Sequence, residues 1–169
     1  MRKVIFFALL ATTIANSGYG QKEKYQSLFI YNFTKYIKWP ESYNPNRFVI
    51  GVIGSSKILE SLNAMTAAKK KTVNGKVLEI KKYSSVSEID DCNILFISED
   101  MSGELGQIEH ETSSKPVLIV TDVPGLAAQG SMVNFVEQDG KIKFELNRAS
   151  VDRRGLIVSG SLINLAILI

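Results

Sequence analysis

Hydrophobic and polar positions follow two rhythms along the chain. Tyr25, Leu28, Phe29, Phe33, Tyr36 and Ile37 recur at spacings of three and four, a stripe that predicts a helix ended by Pro40. Asn32 falls inside that stripe and, as a buried amide, would have to tie the helix to core backbone. Phe48 to Ile53, Ile94 to Ile97 and Val117 to Val120 are apolar without alternation, which suits strands covered on both faces of a parallel sheet. Val77 to Tyr83 is more polar, with Leu78 and Ile80 inward, and reads as an edge strand. Helix-compatible segments, Ser55 to Ala68, Ser85 to Asp90 and Met101 to Glu111, lie between these runs. Strand, helix and strand in repetition predict an α/β fold with right-handed crossovers.

After Pro124 the rhythm changes. Met132 to Glu137 and Lys141 to Leu146 flank Gln138-Asp139-Gly140, and the second run alternates strictly, so the pair predicts an antiparallel hairpin at an edge of the sheet or projecting from it. Asn147 is placed to cap a short helix that Gly155 ends. Beyond it Leu156 to Val158 reads as a short strand and Ser161 to Ile169 as a terminal helix. The uncharged tail is too short for a bilayer of about 30 Å hydrocarbon, so no direct membrane span is expected. With no repeat and no linker, the expectation is one domain over residues 21–169: a mostly parallel central sheet flanked by helices, with an antiparallel hairpin near the C-terminal end.

The first twenty residues stand outside that pattern. Arg2 and Lys3, an uncharged apolar run from Val4 to Ile14, and a small, polar stretch from Ala15 to Gly20 have the layout of a cleaved export signal, which predicts a periplasmic mature chain. Its removal changes the charge reading. The 169-residue chain carries 20 basic and 17 acidic residues, net +3, and the export segment holds two of the basic ones, leaving the mature part near +1. Nothing in that balance favours a nucleic-acid partner. Lys69, Lys70 and Lys71 form the one basic run and read as a solvated loop. One cysteine and one histidine supply neither an internal disulfide nor a zinc ligand set, so no metal and no cofactor are expected.

Candidate chemistry is sparse. His110 sits in a polar segment, and Cys92 follows Asp90 and Asp91, which raise a thiol's pKa rather than activate it. Neither belongs to a nucleophile–base constellation, and no catalytic residue is assigned. In parallel sheets ligands bind beyond the carboxyl ends of strands. Those ends offer Gly54 with Ser55, Ser98 with Glu99, and Thr121 with Asp122, so Gly54, Ser98 and Asp122 are ligand candidates, with Trp39 available to line a pocket. Two readings of Asp122 stand open, a turn-closing carboxylate or a ligand contact, and two of Trp39, a core residue or an interface anchor.

The run Tyr31-Asn32-Phe33-Thr34-Lys35-Tyr36-Ile37-Lys38-Trp39-Pro40 resembles the N-terminal helix signature of the YfiR-like periplasmic proteins. Val117 to Asp122, then Pro124-Gly125, Gly130 and Met132 to Phe135, is similar to their central motif. Phe144 to Asn147 continues it, and Arg153-Arg154-Gly155-Leu156 with Ser159, Leu162, Leu165 and Ala166 resembles their C-terminal end. The resemblance implies a secreted, non-catalytic α/β domain, often dimeric. Such a domain binds the periplasmic part of an inner-membrane signalling protein, typically a YfiN-type diguanylate cyclase, and holds cyclic di-GMP low. A sensor kinase is the other partner class, and a homodimer and a small-ligand module stay open. Trp39, Asp122, Pro124, Asn134, Glu145 and Arg153 become the contact candidates carried by these motifs. The chain departs from relatives with several cysteines, having only Cys92, and its tail carries Ser161, Asn164 and Ile167 where relatives often place Lys or Arg. That apolar end is a candidate self-association or partner surface.

Overall fold

A computed structural model of the chain describes residues 19–43, 45–67 and 72–169. The export segment up to residue 18 and the lysine run at 69–71 lie outside them. Helix α1 (Tyr19–Tyr36) runs into a two-residue strand, β1 (Ile37–Lys38). Then come β2 (Arg47–Ile53), α2 (Ile58–Ala67), β3 (Thr72–Val73), β4 (Lys76–Tyr83) and β5 (Ile94–Ile97). A 3₁₀ turn over Glu99–Glu104 leads into α3 (Leu105–Glu111), followed by β6 (Leu118–Thr121), β7 (Val133–Gln138), β8 (Lys141–Leu146) and α4 (Arg148–Arg153). The chain closes with β9 (Ile157–Val158), α5 (Gly160–Ile163) and β10 (Ile167–Leu168). No helix among the described residues is long and apolar enough to cross a membrane.

The main sheet has the order β10-β8-β7-β6-β5-β2-β4-β3. Its middle five strands, β4-β2-β5-β6-β7, are parallel. The unalternating apolar runs are explained by two cores. Phe48, Ile50, Val52, Ile94, Phe96, Leu118 and Val120 face one core with residues of α1, α2, α4 and α5. Val49, Ile53, Leu95, Ile97, Val117 and Ile119 face the other with Leu105 and Ile108 of α3. A strand buried on both faces has no polar side to show. The hairpin also forms as expected: Asp139 and Gly140, with φ of 54° and 68°, make its two-residue turn between antiparallel β7 and β8. The Asn147 side chain accepts from the Ser150 amide at the start of α4, and Gly155, with φ of 66°, ends that helix segment.

Four expectations need correction. The α1 stripe is rotated: Tyr25, Leu28 and Tyr36 are 46%, 50% and 44% exposed, while Gln26, Ser27, Ile30, Phe33, Thr34 and Ile37 are buried. Two polar members of that face are satisfied locally, Ser27 donating to the Lys24 carbonyl at 2.9 Å and Thr34 to that of Tyr31 at 2.7 Å, while Gln26 reaches a distant partner. Phe29 and Phe33 instead meet Phe144 edge-on at 5.5 and 5.4 Å, which fixes the helix on the hairpin. Asn32 is only half-buried. The terminal helix is a single turn, α5, after which β10 pairs parallel with β8 and the Ile169 amide donates to the Leu146 carbonyl at 3.0 Å. An unpaired β8 edge and poor helix formers at Gly160 and Ser161 decide that segment. Last, β4 is covered by the short β3 and is not the edge.

A polar row pins the junction between the parallel strands and the hairpin. Thr121, Asn134 and Glu145 are neighbours in register across β6, β7 and β8. The Thr121 hydroxyl lies 2.8 Å from both the Ser131 hydroxyl and the Asn134 side-chain carbonyl, and the Asn134 amide donates to Glu145 at 2.9 Å. Asn134 is fully buried, so replacing it leaves polar partners without a bond at about 1–3 kcal/mol. Asn134→Leu should therefore lower stability by about 2 kcal/mol, read as a lower urea midpoint with unchanged slope. A loss below about 0.5 kcal/mol would show that the row is not a stabilising feature.

Candidate functional site

At the carboxyl ends of the parallel strands, where the ligand candidates Gly54, Ser98 and Asp122 lie, polar groups are engaged by the chain's own side chains. β2 ends at Gly54, whose φ of 89° turns the backbone toward α2 and whose amide donates to the Tyr83 carbonyl at 3.1 Å. A Cβ at this glycine would run into the Ser98 hydroxyl. Buried Ser98, beyond β5, is 2.7 Å from the Ile53 carbonyl and in hydrogen-bond contact with Asp100. The Asp100 carboxylate in turn accepts from the Ser55 amide, 3.1 Å from each oxygen. An anion does sit at this strand-to-helix turn, and it is Asp100. The Ser98 hydroxyl and then the Ser55 amide hold its carboxyl below the usual aspartate range.

Asp122, beyond β6, is also engaged. Its carboxylate pairs with Lys22 at 3.0 Å and accepts from Gln26 at 3.1 Å, two residues one turn apart on α1. The structure thus brings a cation and an amide to Asp122, both from α1. Pro124 is exposed in the following turn. Asn134 and Glu145 belong to the polar row described above. None of these residues meets Trp39 or Arg153 in a hydrogen bond or ion pair among the described residues.

Pro40, next to Trp39 in the chain, and Arg153 come together at the opposite, amino-terminal end of the strands. β1 pairs with β9, Ile37 opposite Val158 and Lys38 opposite Ile157, which brings the turn after α4 against the turn after α1. A Cβ built on Gly155 would lie 3.4 Å from Pro40. Half-buried Trp39 packs edge-on against Phe48 at 5.0 Å, and its buried indole Nε1 has no hydrogen-bond partner among the described residues. Beside Pro40 a cleft of about 380 Å³ opens, lined by Tyr43, Ser113, Ser114, Lys115, Arg153 and Arg154 among others. Arg153 is exposed and donates to the Ser150 hydroxyl at 2.9 Å.

Arg154 is the residue that sequence reasoning passed over. Its half-buried guanidinium bonds the carbonyls of Glu109 and Lys115 at 3.0 Å each, and that of Thr112 as well. These groups end α3 and the loop after it, so the guanidinium caps the helix from 39 to 45 residues away in sequence. Burial pushes its pKa down from the ordinary arginine value, with Glu109 opposing that shift. The one available signal was the doubled arginine before Gly155, which names no partner.

The remaining titratable groups offer little chemistry. Burial foremost, then the charge of Asp90, pushes the Cys92 thiol up to about 12, so it stays protonated. Desolvation likewise pushes Tyr43 up to about 12, and its hydroxyl donates to the Cys92 carbonyl at 3.2 Å. His110 is exposed. No group of three or more His, Cys, Asp or Glu among the described residues is placed to hold a metal.

A family model described as YfiR/HmsC-like matches residues 23–167. The chain belongs to the YfiR/HmsC-like family. No curated protein matches the chain. Among solved structures it resembles the ABC domain from Streptococcus pneumonia, in complex with L-Trp, at a TM-score of 0.54 and 13% identity. It also resembles a conserved domain protein from Vibrio cholerae O1 biovar El Tor at a TM-score of 0.55 and 9% identity. Each alignment covers 86% of this chain but 59% of the other, so the likeness is one of fold. In this YfiR/HmsC-like domain, the motif residues of the central segment act as internal fasteners, while those of the two flanking motifs meet at the cleft.

Asp100 carries a pH prediction. Its folded pKa lies below the 3.8 of the free side chain, so the unfolded chain binds more protons in acid and the contribution is complete above that value. It is lost as pH falls through 3.8 toward the folded pKa. Melting temperature followed from pH 6 to pH 2 should therefore fall more steeply in the parent than in Asp100→Asn. Parallel curves would show that Asp100 contributes nothing there.

Proposed function

We propose that the mature chain, residues 21–169, is a periplasmic, non-enzymatic regulator. In this reading it binds the periplasmic part of an inner-membrane diguanylate cyclase or sensor kinase and lowers cyclic di-GMP. The observation that carries it is the YfiR/HmsC-like match over residues 23–167. The export-type N-terminus supports the compartment. The geometry supports the absence of catalysis in a specific way: Asp100, Asp122 and Glu145 each spend their carboxylate on bonds within the fold.

The exterior supports a partner surface. Tyr25, Leu28 and Tyr36 leave α1 with an outward apolar and aromatic face, and Leu165, Ile167, Leu168 and Ile169 leave the C-terminal end apolar. Self-association through the C-terminal end is the homodimer form of the same proposal. Of the motif candidates, Arg153 and Pro124 are exposed enough to touch a partner directly, whereas Asn134 would act by holding the hairpin. The mechanism is a population shift: a domain that binds the inactive receptor more tightly than the active one displaces the equilibrium by its differential affinity, about 1.4 kcal/mol per factor of ten.

A second reading, a small-ligand module, is favoured by one observation. A groove of about 620 Å³ lies between α1 and the hairpin, lined by Tyr25, Phe29 and Ile142 with Lys22, Lys141 and Glu137. Deleting the gene should raise cellular cyclic di-GMP severalfold, and restoring the chain should reverse the rise. Unchanged nucleotide with an intact periplasmic pool of the protein would sink the regulator reading and leave the groove as the better lead.

A further inference from the structure

The cleft between the Pro40 turn, the loop before β6 and the end of α4 has an unusual balance of charge. Lys115, Arg153 and Arg154 line it, and no Asp or Glu does. Lys115 is already paired, with Asp91 at 2.6 Å. Neither arginine lies within salt-bridge distance of a carboxylate among the described residues. Arg154 spends its donors on the carbonyls that end α3, which compensates their partial charge and leaves the guanidinium's unit charge in place. The hydroxyls of Ser42, Ser113 and Ser114, also in the lining, make no hydrogen bond to any described residue. Three exposed hydroxyls with no bond to a described residue therefore stand beside Arg153, which no carboxylate pairs, and Arg154, on which the Glu109 charge acts without a salt bridge, in a concave site.

We infer that this cleft binds a small solute bearing a phosphate or carboxylate group, with Arg153 as the principal charged contact and the serine hydroxyls completing the oxyanion's bonds. Guanidinium is suited to this because its planar fork matches the two oxygens of either group. Arg153 is the exposed and least constrained cation in the lining, having one bond to Ser150, whereas Arg154 is fixed in the wall. A volume of about 380 Å³ fits a compact metabolite-sized anion. The position is opposite to the carboxyl ends of the strands, where Asp100 fills the corresponding place. Salt dependence follows from the same charges: binding should weaken as ionic strength rises, because the site is open to solvent and the Debye length shortens to about 8 Å at 0.15 M.

Calorimetric titration of the purified mature chain with inorganic phosphate, glycerol 3-phosphate and succinate tests the assignment and separates the two oxyanion classes. At least one probe should bind saturably with one site per chain, and Arg153→Gln should weaken it tenfold or more. Lys82→Gln, which removes the same charge at an exposed position of β4 outside the cleft, should leave affinity unchanged. Lys115→Gln provides a second cleft variant should the first lose its folded circular dichroism, with an expected loss of threefold or more. Absence of saturable binding for all three probes would overturn the proposal, as would equal weakening by Lys82→Gln and the cleft variants. The titration needs no membrane partner, so its failure would leave the regulator reading standing, and failure of that reading would leave this site standing.

Discussion

A half-buried guanidinium held by backbone carbonyls and not by a salt bridge organises one whole end of this molecule. Arg154 follows α4, which packs in the core on one face of the sheet, and its side chain bonds the carbonyls that end α3, which covers the other face. An uncompensated charge at such a place would cost several kcal/mol, and the exposed carbonyls of a helix end would be costly too. Each meets the other's need. The link fixes the turn after α4, which lets β9 pair with β1 and sets Trp39 over Phe48. The cleft is a consequence of that closure, because its walls come from the three segments the guanidinium and the small β1–β9 ladder bring together.

The central strands were legible in the sequence for a simple reason. Burial on both faces strips the alternation from a strand, so the runs at 48–53, 94–97 and 117–120 name a covered parallel sheet by composition alone. The hairpin and the Asn147 cap are local as well, set by residues within a few positions of each other. What the pattern hid was decided by distant partners. Gln26 looks like a solvated residue until Asp122, 96 positions away, gives its amide a bond. The tail reads as a helix because apolar residues there carry no label for the strand they will join, and only the open edge of β8 makes Ile167 and Leu168 a strand.

The same distinction governs the site. The expectation that ligands gather at the carboxyl ends of parallel strands drew attention to Gly54, Ser98 and Asp122, and that end does carry polar groups. Their partners, Asp100 on one side and Lys22 with Gln26 on the other, come from the chain itself. The Thr121, Asn134 and Glu145 row is likewise a structural device, legible as a motif yet not as a register until β6, β7 and β8 are side by side. Ser113, Ser114 and Lys115 carry no pattern that marks them, and they acquire meaning only beside Arg153.

These observations describe a domain whose polar interior is closed and whose exterior offers an apolar C-terminal end, an aromatic face on α1 and one basic cleft. That distribution fits a protein whose work is recognition, since the differential binding that shifts a receptor's population must come from exposed groups. Site-specific photo-crosslinking in intact cells, from reactive groups placed at Leu28 on α1 and at Leu168 in β10, addresses the point most directly. The account predicts an adduct with a membrane-anchored protein that carries a cytoplasmic cyclase or kinase domain. Adducts from both positions only with proteins lacking a membrane anchor would contradict it.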